Sequence, residues 1–201
     1  MDENAKAQVD GRRLRSEDSR RRIVQAVLEL IEAGNLAPSG EQVALHAGVG
    51  LRSVFRHFRD MESLFLEIGT MIAPRLQAMA QRPFQTETWQ QQIAEIVQRR
   101  AEAYEALAPI FRAMHLHSFK SPSVRQGRQR ISAGLRLVIQ SRIPHGALDA
   151  TAIDALDMLL SFETWTRLRD QQTLSPDAAR DVISRLVAAV LREGSVIPSG
   201  A

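Results

Sequence analysis

The chain has 201 residues, 44% of them apolar, a formal net charge of +3 and no cysteine. That length holds one or two small domains with a real core. The missing thiols exclude a disulfide framework, a thiolate zinc site and a cysteine nucleophile. The N-terminus is polar and Arg-rich with no apolar h-region. The longest apolar runs, such as Leu186 to Leu191, are too short to span a bilayer. The expected setting is the cytoplasm, with no membrane partner.

Aromatic residues are only 5% of the chain. No Val/Ile/Thr-rich alternating run is bounded by Asn-Gly or Asp-Gly, and Ala, Leu, Arg, Gln and Glu fill the long segments. An all-α fold is therefore predicted. The small net charge carries little information, but its distribution carries more. Arg12, Arg13, Arg15, Arg20, Arg21 and Arg22 crowd the N-terminal region, and Arg52, Arg56 and Arg59 form a second group. The only lysines are Lys6 and Lys120, an imbalance that reads as genomic base composition. An Arg run alone is as readily a solvated tail as a phosphate-binding surface.

Residues 1–15 are polar and lack apolar periodicity, so they are expected to form a disordered basic arm. A first helix is predicted from Ser19 to Ala33, where Ile23, Val27, Leu30 and Ile31 form one apolar stripe and Gly34 supplies the stop. A second helix follows Pro38. Ser39 is its N-cap, Gln42 completes a capping box, and Val43, Ala44 and Ala47 form its apolar side. After the turn Gly48-Val49-Gly50, a third helix covers Leu51 to Phe58. Asp60 then caps a fourth, which is expected to kink or end near Pro74. Beyond Arg82-Pro83, amphipathic stretches cover Glu87 to Leu107, Pro109 to Phe119, Ser123 to Arg142, Asp149 to Gln171 and Pro176 to Arg192. Domain boundaries follow: a helix-turn-helix domain over 16–63, a helical domain over 64–193 and a frayed tail over 194–201.

Two short helices joined by a glycine-containing turn, behind a longer one, make the helix-turn-helix arrangement, whose last helix enters the DNA major groove. In the third helix Val54 and Phe58 are four apart and should face inward with Val49. Arg52, Ser53, Arg56 and His57 then face elsewhere, and all are types that reach phosphates or base edges.

The ordered set Val43-Ala44, Ala47-Gly48-Val49, Ser53-Val54-Phe55, His57-Phe58, Glu62 and Leu64 resembles the DNA-binding domain of the TetR family of bacterial regulators. Ile23, Ala26, Leu30 and Gly34 match that family's first helix. The resemblance implies a homodimeric regulator on a palindromic double-stranded operator, most simply a repressor released by a small apolar or amphipathic effector. DNA contacts are expected from Ser39, Gly50, Arg52, Ser53, Phe55, Arg56 and His57, and neither a cofactor nor a metal is expected. Four positions depart from the family's pattern: Phe55 stands for the common Tyr, Met61 for Lys, Gly50 for Ser, and Arg52 for a small residue or Pro. Phe55 and Met61 cannot bond a phosphate, and Arg52 and Arg56 are expected to do so in their place.

The resemblance fades after about residue 70 and returns at Leu160, Phe162, Trp165, Leu168 and Arg169 and at Leu174-Ser175-Pro176, which look like the helices that pair two subunits in one TetR branch. Dimer-interface candidates are Leu156, Leu160, Trp165, Val182, Leu186 and Val190; the bland alternative is plain core. Effector-pocket candidates are Trp89, Ile93, Met114, His115, Phe119, Ile139 and Phe162, on the ground that pockets between bundled helices are mostly apolar. His115 and His117, two apart on a helix, point in nearly opposite directions and do not form a facial metal pair. No activated nucleophile or phosphate loop stands in the sequence, so an enzyme is not expected. The alternative within DNA binding is a constitutive or architectural protein without an effector.

Overall fold

The computed structural model describes residues 3–194, with side chains from Leu14 and from Ser16 onward. Among the described residues every regular element is helical, and no helix is long and apolar enough to cross a membrane. Helix α1 runs Glu3–Glu32, α2 Gly40–Ala47, α3 Leu51–His57, α4 Met61–Ala80, α5 Trp89–Ser118, α6 Pro122–Gln140, α7 Ala150–Leu159, α8 Phe162–Thr166 and α9 Pro176–Glu193; a π-helical turn, Arg167–Gln171, follows α8.

The chain divides into two compact units. The first holds 1–72 with 109–128, and the second holds 73–108 with 129–201. The expected boundary at 63/64 lies nine residues before this division at Ile72/Ala73, and a segment from the middle of the chain joins the N-terminal unit. Helices α4 and α5 pass from one unit to the other without a break. Caps and loops, the boundary signals a sequence offers, are therefore absent at this division.

In the first unit α1 presents Ile23, Val24, Ala26, Val27 and Ile31 to the core, as the stripe predicted. Its start differs, since the helix begins at Glu3 and covers most of the expected disordered arm. Residues 3–15 lack apolar periodicity but not helix propensity. Ala5, Ala7, Gln8 and the arginines are good formers, there is no proline, and Gly11 alone costs about 1 kcal/mol. Ser39 caps α2 through a complete capping box: its hydroxyl accepts the Gln42 N–H at 3.3 Å, and the Gln42 side chain accepts the Ser39 N–H at 2.8 Å. Gly48 closes α2 at φ 63°, a left-handed conformation that suits glycine. Asp60 and Ser63 form a reciprocal pair at the start of α4, with the Asp60 carboxylate accepting the Ser63 N–H at 2.8 Å.

Two helices continue where proline predicted an interruption, α4 through Pro74 and α5 through Pro109. Each proline deletes one helical hydrogen bond, yet apolar residues on both sides keep the helix in place: Ile72 and Leu76 in α4, Leu107 and Ile110 in α5. The predicted helix over 149–171 is instead interrupted. Helix α7 ends at Leu160, Ser161 caps α8, and the π turn follows. Asp149 and Ser175 cap α7 and α9 through bonds to Ala152 N–H and Ala178 N–H. Of the expected frayed tail only Gly194, the C-cap of α9, is described; 195–201 lie outside the described residues.

Candidate nucleic-acid interface

The α2–turn–α3 segment is held from behind by its apolar side. Val43, Ala44, Val54 and Phe58 are buried, which leaves Arg52 and Arg56 exposed and Ser53 half-buried on the outer side of α3. Gly50 is the N-cap of α3 in extended backbone and offers no side-chain bond. The first-turn N–H of Ser53 is taken by the Gly50 carbonyl. Ser39 is exposed at the start of α2, where free N–H groups and the helix dipole favour an anion.

Phe55, without the hydroxyl expected from the family pattern, has a packing role. Its ring edge lies so close to the start of α2 that a Cβ added to Gly40 would sit 2.9 Å from Phe55 Cζ. The ring bolts α3 to α2 while staying 46% exposed. Gly40 is therefore part of the interface geometry, and its signal in the sequence is a glycine at a helix start where propensity alone asks for none.

His57 departs from its predicted outward place. Its ring Nε2 is buried and has no hydrogen-bond partner. Burial, then Arg56 and Arg20, hold its pKa below the ordinary value. This nitrogen is not presented to a phosphate. The His57 carbonyl instead accepts from Arg20 Nη1 at 3.1 Å. Arg20 also places its guanidinium 4.4 Å from the centre of the Phe58 ring and bonds Glu67 at 2.9 Å, so one arginine of the N-terminal group ties α1 to α3 and α4. Elsewhere on α1, Glu29 meets His46 of α2 at 2.7 Å.

His117, considered above only as a metal ligand, packs in the first unit against Phe65, with ring centres 3.6 Å apart. Its Nε2 is buried without a partner. Burial pushes its pKa below the ordinary 6.5, outweighing a hydrogen bond to the Leu36 backbone that acts the other way; Lys120 adds to the depression. The unfolded chain therefore binds more protons than the folded one below about pH 6.5. This contribution to stability is complete above 6.5 and is lost as pH falls through the folded value. The urea midpoint is expected to drop between about pH 7.5 and about pH 5.5, and His117→Leu is expected to flatten that drop. An unchanged pH slope in the variant would refute the assignment.

The seven effector-pocket candidates are divided between the two units. Met114, His115 and Phe119 belong to the first unit, and Trp89, Ile93, Ile139 and Phe162 to the second. Ile93, Ile139, Met114 and Phe162 are plain core, whereas Phe119 is 70% exposed with its ring edge-on to His115. Helical periodicity reports which side of a helix is covered, not whether the space behind it is filled. Three dimer candidates are corrected for the same reason: Leu156, Leu160 and Trp165 are buried inside their own subunit. Val182 and Val190 are half-buried and Leu186 exposed, which leaves a stripe along α9 available to meet another surface.

The second unit holds a cavity of about 30 Å³ beside Arg99 and Arg100, both buried. Neither is among the candidates drawn from the sequence. The signal present there is Arg100 standing where the stripe Ile93, Ile96, Val97, Tyr104 calls for an apolar residue. Arg99 is satisfied by Glu95 and by the carbonyls of Arg82 (2.6 Å) and Pro83 (2.7 Å). Arg100 donates to the carbonyls of Leu160 (2.7 Å) and Leu135 (2.6 Å). The first of these is available because α7 ends there. Tyr104 donates to the same Leu160 carbonyl at 2.9 Å.

No protein-family model and no curated protein matches this chain, but solved structures do. A transcriptional regulator from Rhodococcus sp. RHA1 aligns with 89% of this chain and 99% of its own at TM-score 0.67 and 19% identity. A TetR regulator from Rhodococcus sp. RHA1 covers 88% and 96% at TM-score 0.57 and 17% identity. A TetR-family regulator from Mesorhizobium loti MAFF303099 covers 90% and 99% at TM-score 0.58 and 18% identity. Over nearly all of its length, then, the chain has the fold of the TetR-family transcriptional regulators.

Proposed function

We propose that the protein is a sequence-specific DNA-binding transcriptional regulator that acts as a homodimer and leaves its operator when a small amphipathic ligand binds the second unit. The observation that carries the reading is the division of α3: Val54 and Phe58 anchor it from within while Arg52, Ser53 and Arg56 lie on its outer side. One such helix reads few base pairs. Two related by a two-fold axis read two half-sites, and the second contact is made at high effective concentration. The Val182–Leu186–Val190 stripe of α9 is the surface we assign to the second copy.

Release by a ligand requires that the ligand prefer the conformation that binds DNA less well. Helices α4 and α5 are the covalent route for that preference, since both run from one unit into the other. Each carries its proline, Pro74 or Pro109, within two residues of the change of unit.

The test is salt-dependent binding to the DNA flanking the protein's own gene, against a scrambled duplex. Preferential binding with two protomers per site supports the reading, and equal binding to both duplexes sinks it. Arg52→Ala is expected to weaken binding to operator and scrambled DNA alike and to reduce the slope of log K against log salt by about 0.9, the value for one phosphate no longer neutralised. A second reading, a constitutive DNA-binder without an effector, draws support from the small size of the cavity beside Arg100, which encloses about 30 Å³.

A further inference from the structure

Arg100 is 7% exposed, and among the described residues no carboxylate touches it. Asp157 acts on it only through space, being committed to Arg136 at 3.4 Å. Two carbonyls and the Tyr104 hydroxyl engage its guanidinium, which has five N–H donors in a planar fork. A buried charge met only by dipoles is costly unless an opposite charge completes it, and a carboxylate fits this fork in two parallel hydrogen bonds.

The surroundings extend the same preference. The cavity beside Arg100 shares Ala80 and Val138 with an open cleft of about 530 Å³. The two together are lined by four arginines, Arg82, Arg99, Arg100 and Arg142, and by no aspartate or glutamate. Glu95 is engaged by Arg99 and by the Thr86 hydroxyl, and Glu102 by Arg82. Phe84 forms an apolar wall of the cleft, with Arg99 and Arg142 at 4.2 and 5.2 Å from its ring centre. The cavity has room for about one water molecule, or a small polar head in its place. The cleft has room for an extended chain along Ala80, Pro83, Phe84 and Val138, with Gln81, Thr86, Gln92 and Ser141 between them.

We infer that the second unit binds an amphipathic monocarboxylate, its carboxylate on Arg100 and its apolar body passing between Ala80 and Val138 into the cleft beside Phe84. This rests on the ligand-responsive reading above and gives its ligand a chemical class. The bound anion takes the head site and spreads the Ala80–Val138 constriction. The constriction includes the end of α4, one of the two helices continuous with the DNA-reading unit.

The test uses the full chain with octanoate as the probe and octanamide and octanol as uncharged matches of the same length. Calorimetry is expected to show octanoate binding at least tenfold more tightly than octanamide. Arg100→Met, which keeps an apolar stem of similar length, should erase that preference. Val138→Trp, which fills the passage but leaves Arg100 in place, should abolish binding and settles the matter if Arg100→Met fails to fold. Equal binding of octanoate and octanamide, or no octanoate binding to the folded protein at millimolar concentration, would overturn the inference. Operator binding is scored separately without probe. If it is specific while octanoate fails, the regulator reading stands and this ligand class falls. If octanoate binds and operator binding is not specific, the reverse holds.

Discussion

Trp165→Ala is expected to destabilise the second unit by about 3–5 kcal/mol, the range for truncating a buried Trp or Phe. Trp165 is 1% exposed, and its indole Nε1 donates to Glu105 at 2.9 Å. Arg169 Nε donates to the same carboxylate oxygen at 2.8 Å, and its Nη1 donates to the Leu174 carbonyl, so the indole sits in a knot joining α5, α8 and the π turn. Truncation removes the largest buried side chain of the unit and loosens that knot. Trp165→Phe keeps most of the ring volume and gives up the Glu105 bond, so it should cost less than half as much. The decisive feature is dependence on protein concentration. A residue at a subunit interface loses stability in a way that higher concentration restores by mass action. A core residue does not, so the Trp165→Ala loss should be the same across a hundredfold range of concentration. Leu186→Lys on α9 is the contrast, expected to shift the proposed dimer toward monomer while barely changing the stability of the subunit. A Trp165→Ala loss recovered by concentration would return this residue to the interface.

What the sequence made legible is local and periodic. The capping box at Ser39 and Gln42, the turn at Gly48, the inward pair Val54 and Phe58 and the proline opening α9 all follow from neighbours within four residues, and all are present in the fold. Where expectation and structure part, the cause is tertiary. Pro74 and Pro109 end helices by local rules, but buried residues on either side carry each helix through. Leu160 sits in an unbroken apolar period. Its carbonyl is nevertheless withdrawn from the helix and given to Arg100 and Tyr104, sixty and fifty-six residues away in sequence. Arg20 reads as one more charge in a basic run; only the fold brings it over Phe58 and beside Glu67. Apolar character alone picks out core residues as pocket candidates, whereas the cavity is marked by the arginines that interrupt the apolar pattern.

The same contrast between a buried ring and the charge above it gives the second large effect. Phe58→Ala is expected to cost the first unit about 3–5 kcal/mol and to abolish the operator binding proposed above. Phe58 is 3% exposed and is the C-cap of α3, with its N–H bonded to the Val54 carbonyl at 2.9 Å. Removing the ring leaves a void under the last turn of α3, the element that carries Arg52 and Arg56. The Arg20 guanidinium above the ring cannot account for a loss of that size. A cation over an aromatic ring at a partly exposed site contributes about 0.5–1 kcal/mol. The Arg20–Glu67 pair, 41% and 33% exposed, adds at most about 1 kcal/mol. Arg20→Ala should therefore leave α3 folded at a cost of roughly 1–2 kcal/mol, even though it also deletes the bond to the His57 carbonyl. If burial of the ring governs, denaturant midpoints fall far more for Phe58→Ala than for Arg20→Ala, and only the former loses discrimination between operator and scrambled DNA. If the two variants lose stability equally, the clamp rather than the core holds α3, and Arg20 becomes the residue on which the proposed interface depends.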